Sequence, residues 1–374
     1  MKVLMVSLDR KAFIEGDPAR LRLASYGQVF SELHIVVYAE RKLGLSEEQI
    51  AENVWLYPTD SASKLSYIGD ALRIGKRVGK GCDIVSGQDL GETGLAASLI
   101  ARSLKIPLQL QDHADVFDPW FAREGLGNRL RVMLARFLLP QADCLRVVLP
   151  RMKTRLLERY PRLRAHIEVL PVYTPVEAFR QALTSFSLKE RYPQFSHISL
   201  MASRLVPQKD IALALRAFEE ADVPGSGLVI VGEGQLRPAL EAEALRLGLS
   251  ERVIFVSWEN DLVSYYKTAD LFLLSSRYES YCRTLVEAAA CGLPFVATDV
   301  GVASALVDSG AQGSVVPVND SKAFANAIRD WSAKAGEATT PSAGLFAIEK
   351  LVGKDAAAYR ERYRATLSAC VKAS

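Results

Sequence analysis

Short apolar runs separated by amphipathic segments recur along this chain in two successive sets, and that alternation restricts the fold more than any other feature. In the first set the expected strands span residues 2–7, 34–38, 83–86, 107–111, 144–149 and 167–170. In the second they span 197–202, 227–231, 252–256, 271–274, 295–298 and 314–316. Such runs, with helix-period segments between them, describe parallel strands covered on both faces by crossover helices. The fold class is therefore α/β, in two halves that imply a cleft between them, and 374 residues suit two domains of ordinary size. A stretch of weak pattern carrying Pro171, Pro175 and Pro193 marks 173–194 as the linker, so the domains are expected at 1–172 and 195–353. Helices are expected at 211–221, 236–247 and 304–308, and a long C-terminal helix at 354–371 carries Ala358, Tyr359, Tyr363, Leu367 and Cys370.

With 49% hydrophobic and 24% charged residues this is a globular composition, and no run approaches the roughly 18 apolar residues of a membrane span. The apolar residues before Asp9, Arg10 and Lys11 are too few for a signal-peptide core and read as a first strand. Cys82, Cys144, Cys282, Cys291 and Cys370 are scattered, which fits a reducing cytoplasm and offers zinc no ligand cluster. The net charge of +3 hides a local excess: from Trp120 to Ala165 eleven basic residues face three acidic ones. That favours an anionic partner. No nucleic-acid motif accompanies the stretch, so nucleic acid is not expected, and an anionic membrane surface or a phosphorylated acceptor is more economical. Trp120, Phe121, Leu126, Leu130, Met133 and Phe137 alternate there with Arg123, Arg129, Arg131 and Arg136, the pattern of an interfacial helix or of a core helix with a solvated basic face. The localisation this suggests is cytoplasmic, peripheral on the inner face of the membrane.

Chemistry concentrates in the second half. The segment Glu279-Ser-Tyr-Cys-Arg-Thr-Leu-Val-Glu287-Ala-Ala-Ala-Cys-Gly-Leu-Pro294 follows the run 271–274 and opens a helix, and a helix N-terminus after a strand is a ready anion site. Glu287 stands among Leu285, Val286 and Ala288, where a carboxylate needs a polar partner: a ligand hydroxyl, or a neighbouring Lys or Arg. Upstream, Ala202-Ser-Arg204-Leu-Val-Pro-Gln-Lys209-Asp lies between a strand and a helix. Arg204 and Lys209 give that loop a planar fork and a point charge suited to two phosphates, or two solvated cations. Val229-Ile-Val-Gly232-Glu-Gly234 runs a strand into a glycine turn that permits close backbone approach to a ligand. Trp258, just after a strand, either borders a nucleotide base or packs in the core. In the first half, His113 ends a strand in Leu110-Gln-Asp-His-Ala-Asp115. Gly16 follows the first strand, and Arg20 and Arg22 lie on the next helix, suited to an acceptor phosphate or to solvent.

Taken in order, the Arg204 and Lys209 loop, the Gly232 turn, and Glu279-x7-Glu287 with Ala-x-x-x-Gly-x-Pro after it resemble the retaining nucleotide-sugar glycosyltransferases of family 4, within glycosyl transferases group 1. The likeness is dense over 197–328 and thin over the first half. It implies the GT-B fold, two Rossmann-like domains facing each other across a cleft, with the C-terminal helix packed back on the N-terminal domain. It also implies transfer of a sugar from a UDP-, GDP- or ADP-sugar to a glycan, lipid-linked or small-molecule acceptor, in cell-surface glycan or glycolipid synthesis. No cofactor or metal is implied, and the sequence has no Asp-x-Asp motif. In the implied roles Arg204, Lys209 and the helix start at Thr284 and Leu285 hold the departing diphosphate. Glu287 binds the ribose, Glu279 the donor sugar, and His113 the sugar near its anomeric carbon, while Gly232, Ser280, Tyr281, Cys282 and Trp258 border the donor. Gly16, Arg20 and Arg22 lie on the acceptor side. Retention in this family is commonly explained by front-face attack with the leaving phosphate taking the acceptor's proton. The chain departs from the family's Glu-Gly-Phe-Gly at Ser280, Tyr281 and Cys282, from its glycine at Ser203, and from a frequent Glu at Ala305. A GT-B epimerase or phosphorylase, or a noncatalytic nucleotide-sugar binder, stays open as an alternative.

Overall fold

Apolar runs become buried strands throughout the computed structural model, which describes residues 1–334 and 355–373. The chain divides into two units, Met1–Pro171 with Asp355–Ser374, and Val172–Lys354. The first is built on β1 (Lys2–Ser7), β2 (Glu32–Val37), β3 (Glu48–Ala51), β4 (Val54–Pro58), β5 (Ile84–Gly87), β6 (Leu108–Asp112), β7 (Cys144–Val147) and β8 (His166–Val169). They form one sheet in the order β3-β4-β2-β1-β5-β6-β7-β8, parallel except for β3 against β4. The crossovers include α1 (Pro18–Tyr26), α2 (Tyr67–Val78), α3 (Glu92–Leu104), α4 (Leu126–Leu138) and α5 (Pro150–Arg159). Val3, Leu4 and Val6 are wholly buried, as a strand with helices on both faces requires. Asp17 caps α1 by accepting from the Ala19 N–H at 2.8 Å, with Pro18 in the first turn.

The edge strand β3 escapes the apolar pattern, whereas β4 beside it is a buried apolar run that the expected strands omitted. Glu47, Glu48, Gln49 and Glu52 are the residues of a solvated sheet edge, where polar side chains replace the buried alternation.

The second unit begins with α6 (Val176–Gln181) and α7 (Leu188–Arg191). Residues 173–194 are therefore not a bare linker: Val176 and Leu188 are buried, the Ser185 N–H donates to Ser264 Oγ at 2.8 Å, and the Leu188 N–H donates to Thr268 Oγ1 at 3.1 Å. The strands are β9 (His197–Ala202), β10 (Ser226–Val231), β11 (Val253–Val256), β12 (Leu271–Leu274), β13 (Phe295–Thr298) and β14 (Gly313–Val316). Between them run α8 (Ile211–Ala221), α9 (Arg237–Arg246), α10 (Leu262–Thr268), α11 (Arg283–Ala290) and α12 (Ala303–Asp308), with α13 (Ser321–Ala333) after β14. The sheet is parallel, in the order β11-β10-β9-β12-β13-β14. The winding reverses between β9 and β12, so the loops at their carboxyl ends diverge and leave a crevice there. One side of the sheet is covered by a core that includes Leu205, Ile211, Phe218, Ile230, Phe324 and Ile328.

The last described helix, α14 (Ala356–Ala373), belongs to the first unit. Its expected start at Lys354 lies outside the described residues. Tyr359, Tyr363, Leu367 and Cys370 form its buried stripe, and the Tyr363 ring lies 4.9 Å from that of Tyr26. Arg146, part of the basic stretch in sequence, is interior instead: 4% exposed, it donates to Gln111 Oε1 at 2.9 Å, to Tyr359 Oη at 2.7 Å and to the carbonyls of Leu170 and Pro171. Its guanidinium lies 5.2 Å from the centre of the Tyr363 ring. Several acceptors and an aromatic face substitute for water around this charge. Among the described residues no helix is long and apolar enough to cross a membrane.

Candidate active site

The loops at the winding reversal carry Arg204 and Lys209 after β9 and Glu279 after β12. They are fastened to each other by main-chain groups. The Arg277 N–H donates to the Gln208 carbonyl at 2.9 Å, Gln208 Nε2 to the Tyr278 carbonyl at 3.0 Å, and Ser275 Oγ to the Lys209 carbonyl at 2.9 Å. Arg277 also reaches Asp210 at 2.9 Å. A third loop, after β10, joins them: the Leu205 N–H donates to the Glu233 carbonyl at 2.8 Å, and the Leu236 N–H to the Leu205 carbonyl at 3.1 Å. This contact explains Gly232. A Cβ there would stand 1.8 Å from the Ser203 carbonyl oxygen, so the space beside Gly232 is occupied by the Arg204 loop rather than left open for a ligand.

Lys209 Nζ bonds Glu279 Oε1, and Ser276 Oγ donates to the same oxygen at 2.8 Å. Both partners are buried, with side chains 12% and 8% exposed. Burial disfavours the ammonium, but the Glu279 carboxylate beside it outweighs this and the Lys209 pKa is raised. Arg204 is exposed on the same loop and donates to Gln208 Oε1 at 3.3 Å. After Glu279 the chain passes half-buried Ser280 and buried Tyr281 to Cys282, which takes a left-handed conformation (φ 72°) and precedes α11. The family's second glycine would stand here, and the substitution leaves the backbone conformation that glycine tolerates best. Burial, reinforced by the Glu279 charge, pushes the Cys282 thiol up to about 12, so the thiol stays protonated. Gly301 (φ 54°) abuts this turn: a Cβ on it would meet the Tyr281 carbonyl oxygen at 2.6 Å.

Thr284 and Leu285 lie in the first turn of α11, whose N–H groups have no acceptor within the helix. One turn after Arg283, Glu287 is 5% exposed, and its charge is met from within the protein. Tyr266 Oη donates to Oε2 and Arg283 Nη2 to Oε1, both at 3.2 Å. Burial nonetheless pushes its pKa up against these two partners. Arg283 is the neighbouring cation that the sequence offered as the alternative partner of Glu287, whereas Tyr266 has no signal in the motif. Trp258 is 47% exposed, so core packing is excluded and its ring is available to stack.

In the first unit His113 follows β6. Its Nε2 lies 2.8 Å from Gln111 Oε1, the atom that also accepts from Arg146. A guanidinium only donates, which identifies that Gln111 atom as the oxygen and makes Nε2 of His113 the protonated nitrogen. Nδ1 is then a bare acceptor. Burial first, and the charges of Arg146 and Arg22 second, push the His113 pKa down to about 3, so its imidazole is neutral near pH 7. Arg22 pairs with Asp9 at 3.0 Å and is half exposed. Arg20 is instead committed to Glu48 of β3, through bonds of 2.5 and 3.0 Å, and holds α1 to the hairpin. Gly16 lies on the loop after β1 at φ 76° with open space beside it. Gln111 and Arg146 carried no sequence signal, since only the sheet brings β6 and β7 together.

Residues 188–340 match the family model for glycosyl transferases group 1. The chain is 30% identical over 170 residues to UDP-Gal:alpha-D-GlcNAc-diphosphoundecaprenol alpha-1,3-galactosyltransferase of Escherichia coli, covering 43% of this chain and 44% of that protein. It is 33% identical over 155 residues to GDP-mannose-dependent alpha-(1-6)-phosphatidylinositol monomannoside mannosyltransferase of Mycolicibacterium smegmatis, covering 38% and 41%. These matches span less than half the length of either relative. Anabaena HepE in complex with UDP-glucose shares the fold at a TM-score of 0.76 and 19% identity, over 99% of this chain and 100% of that one. Two Rossmann-like units of the GT-B kind are thus the architecture expected from the motifs. The part of this chain that matches the glycosyl transferases group 1 model lies within its second unit.

Proposed function

We propose that this protein is a retaining glycosyltransferase that moves a sugar from a nucleoside diphosphate sugar to an acceptor hydroxyl. The observation that carries the reading is the convergence of Arg204, Lys209, Glu279 and the start of α11 on mutually bonded loops at the winding reversal of the second sheet. Two cations and a helix N-terminus stabilise a departing diphosphate, so the reaction needs no metal ion. The bond from the anomeric carbon to phosphate breaks, the acceptor oxygen bonds that carbon from the same face, and the acceptor proton passes to a phosphate oxygen. Glu287 binds the ribose and Glu279 the donor sugar, while His113 accepts a hydrogen bond from a sugar hydroxyl through Nδ1. The acceptor is a lipid-linked glycan, a class supported by the diphosphoundecaprenol and phosphatidylinositol acceptors in the names of the two relatives. The protein acts as a peripheral protein on the inner membrane face.

Thermal melts with UDP, GDP, ADP and their sugars test the donor site, followed by mass spectrometry of the donor pool with diphospholipid-linked sugars added. One nucleotide series is expected to raise the melting temperature, and its sugar is expected to be consumed only with acceptor present, with or without EDTA. No shift with any nucleotide overturns the reading; turnover without acceptor, or driven by inorganic phosphate, points to an epimerase or a phosphorylase.

A further inference from the structure

The cations of the 120–165 stretch separate by what holds them. Arg146 is interior, Arg131 pairs with Glu92 at 3.3 Å, and Arg155 pairs with Asp115 at 2.8 Å and Asp118 at 3.3 Å. Arg136, Arg159, Arg162 and Arg164 are exposed and make no ion pair among the described residues. These four line one pocket of about 580 Å³ whose remaining wall is largely apolar, with Leu139, Pro140 and Leu163. Beside it α4 turns an apolar row outward. Leu126, Leu130, Met133 and Phe137 recur at helical spacing and are 75%, 64%, 63% and 63% exposed, while Val132, Ala135 and Leu138 on the opposite face are buried. Arg136 stands on α4 next to Phe137 and lines the pocket, so the helix that carries the row also borders the pocket.

A solvated basic face would not carry four large apolar side chains in line, and a site for a soluble anion would have no use for them. Guanidinium forks beside apolar residues match the chemistry of a bilayer interface, where apolar side chains enter the boundary below the headgroups and cations meet lipid phosphates. We propose that α4 and the Arg136, Arg159, Arg162 and Arg164 pocket form a docking site for an anionic lipid leaflet, the pocket taking a lipid phosphate. This deepens the lipid-acceptor reading above and rests on it for its purpose. The test measures lipid binding without turnover, so either can fail while the other stands.

The full chain is sedimented with vesicles of phosphatidylcholine alone or mixed with phosphatidylglycerol, at low and high salt. Binding is expected only to the anionic vesicles, with release at high salt. Near an anionic leaflet each cation changes partition by about fivefold, so Arg162→Ala with Arg164→Ala is expected to lower it roughly tenfold or more. Leu130→Ser with Phe137→Ser is expected to lower it as much at constant charge. All four positions are exposed or half-buried at the surface, and thermal melts check that the variants fold. The proposal is overturned if the unmodified protein stays in the supernatant at low salt. It is also overturned if the serine pair binds like the unmodified protein, which would reduce the attraction to a counterion effect, or if the alanine pair does.

Discussion

Lys209 and Arg204 stand on one loop, yet only Lys209 is held by a buried partner. Arg204→Ala is therefore expected to lower kcat/KM by at least about tenfold with the melting temperature unchanged. Lys209→Ala is expected to lower both, because Glu279 is left buried without its cation, a loss of about 3 kcal/mol. Lys209→Met combined with Glu279→Gln should recover the melting temperature and not the activity; equal stability of the two single variants would contradict the pairing. His113 supplies a pH prediction. Its folded pKa of about 3 lies below the unfolded value of about 6.5, so its contribution is present above pH 6.5 and lost as the pH falls toward 3. Between pH 6.5 and 4 the melting temperature of His113→Asn is expected to fall less steeply than that of the unmodified protein, and nitrogen NMR should find the proton on Nε2. Arg204, Lys209, Glu279, Glu287 and His113 could be singled out as candidates because charged groups at strand ends show in the local sequence. Their partners could not: Ser276, Tyr266 and Gln111 join them only through tertiary contact.

Arg204, Lys209 and Glu279 stand on loops, and the shape of those loops depends on a glycine serving a neighbouring one. Gly232→Ala places a methyl group into the Ser203 carbonyl. We expect it to destabilise the second unit by about 2 kcal/mol or more, by overpacking, and to weaken nucleotide binding although Gly232 need not touch the ligand. Thermal melts and nucleotide titration check this, and normal affinity in a folded Gly232→Ala protein would separate the turn from the Arg204 loop. The helix pattern located α8 at its observed bounds and came within a residue of those of α9, since periodic apolar faces are properties of the local chain. The edge strand β3 and the short helices α6 and α7 were illegible: an edge strand buries too little to leave a pattern, and α7 is only one turn long.

In the first unit, α14 returns from the far end of the chain to cover the interior charge of Arg146. Tyr363→Ala, at 1% exposure, is expected to destabilise this unit by about 3 kcal/mol, and Tyr359→Phe by about 1 kcal/mol through loss of one acceptor for a charged donor. Circular dichroism melts measure both; a Tyr363→Ala protein as stable as the parent would leave Arg146 without need of the helix. Local composition sufficed for two α/β units and for the buried stripe of the last helix, because short apolar runs and helix-period stripes are dictated over a few neighbouring residues. It could not tell the interior Arg146 from the exposed Arg136, nor a free cation from one paired to Glu92 or Asp115. A guanidinium has the same sequence signature in either place; whether it meets water, a carbonyl or a carboxylate depends on which distant segments the sheet and helices bring beside it.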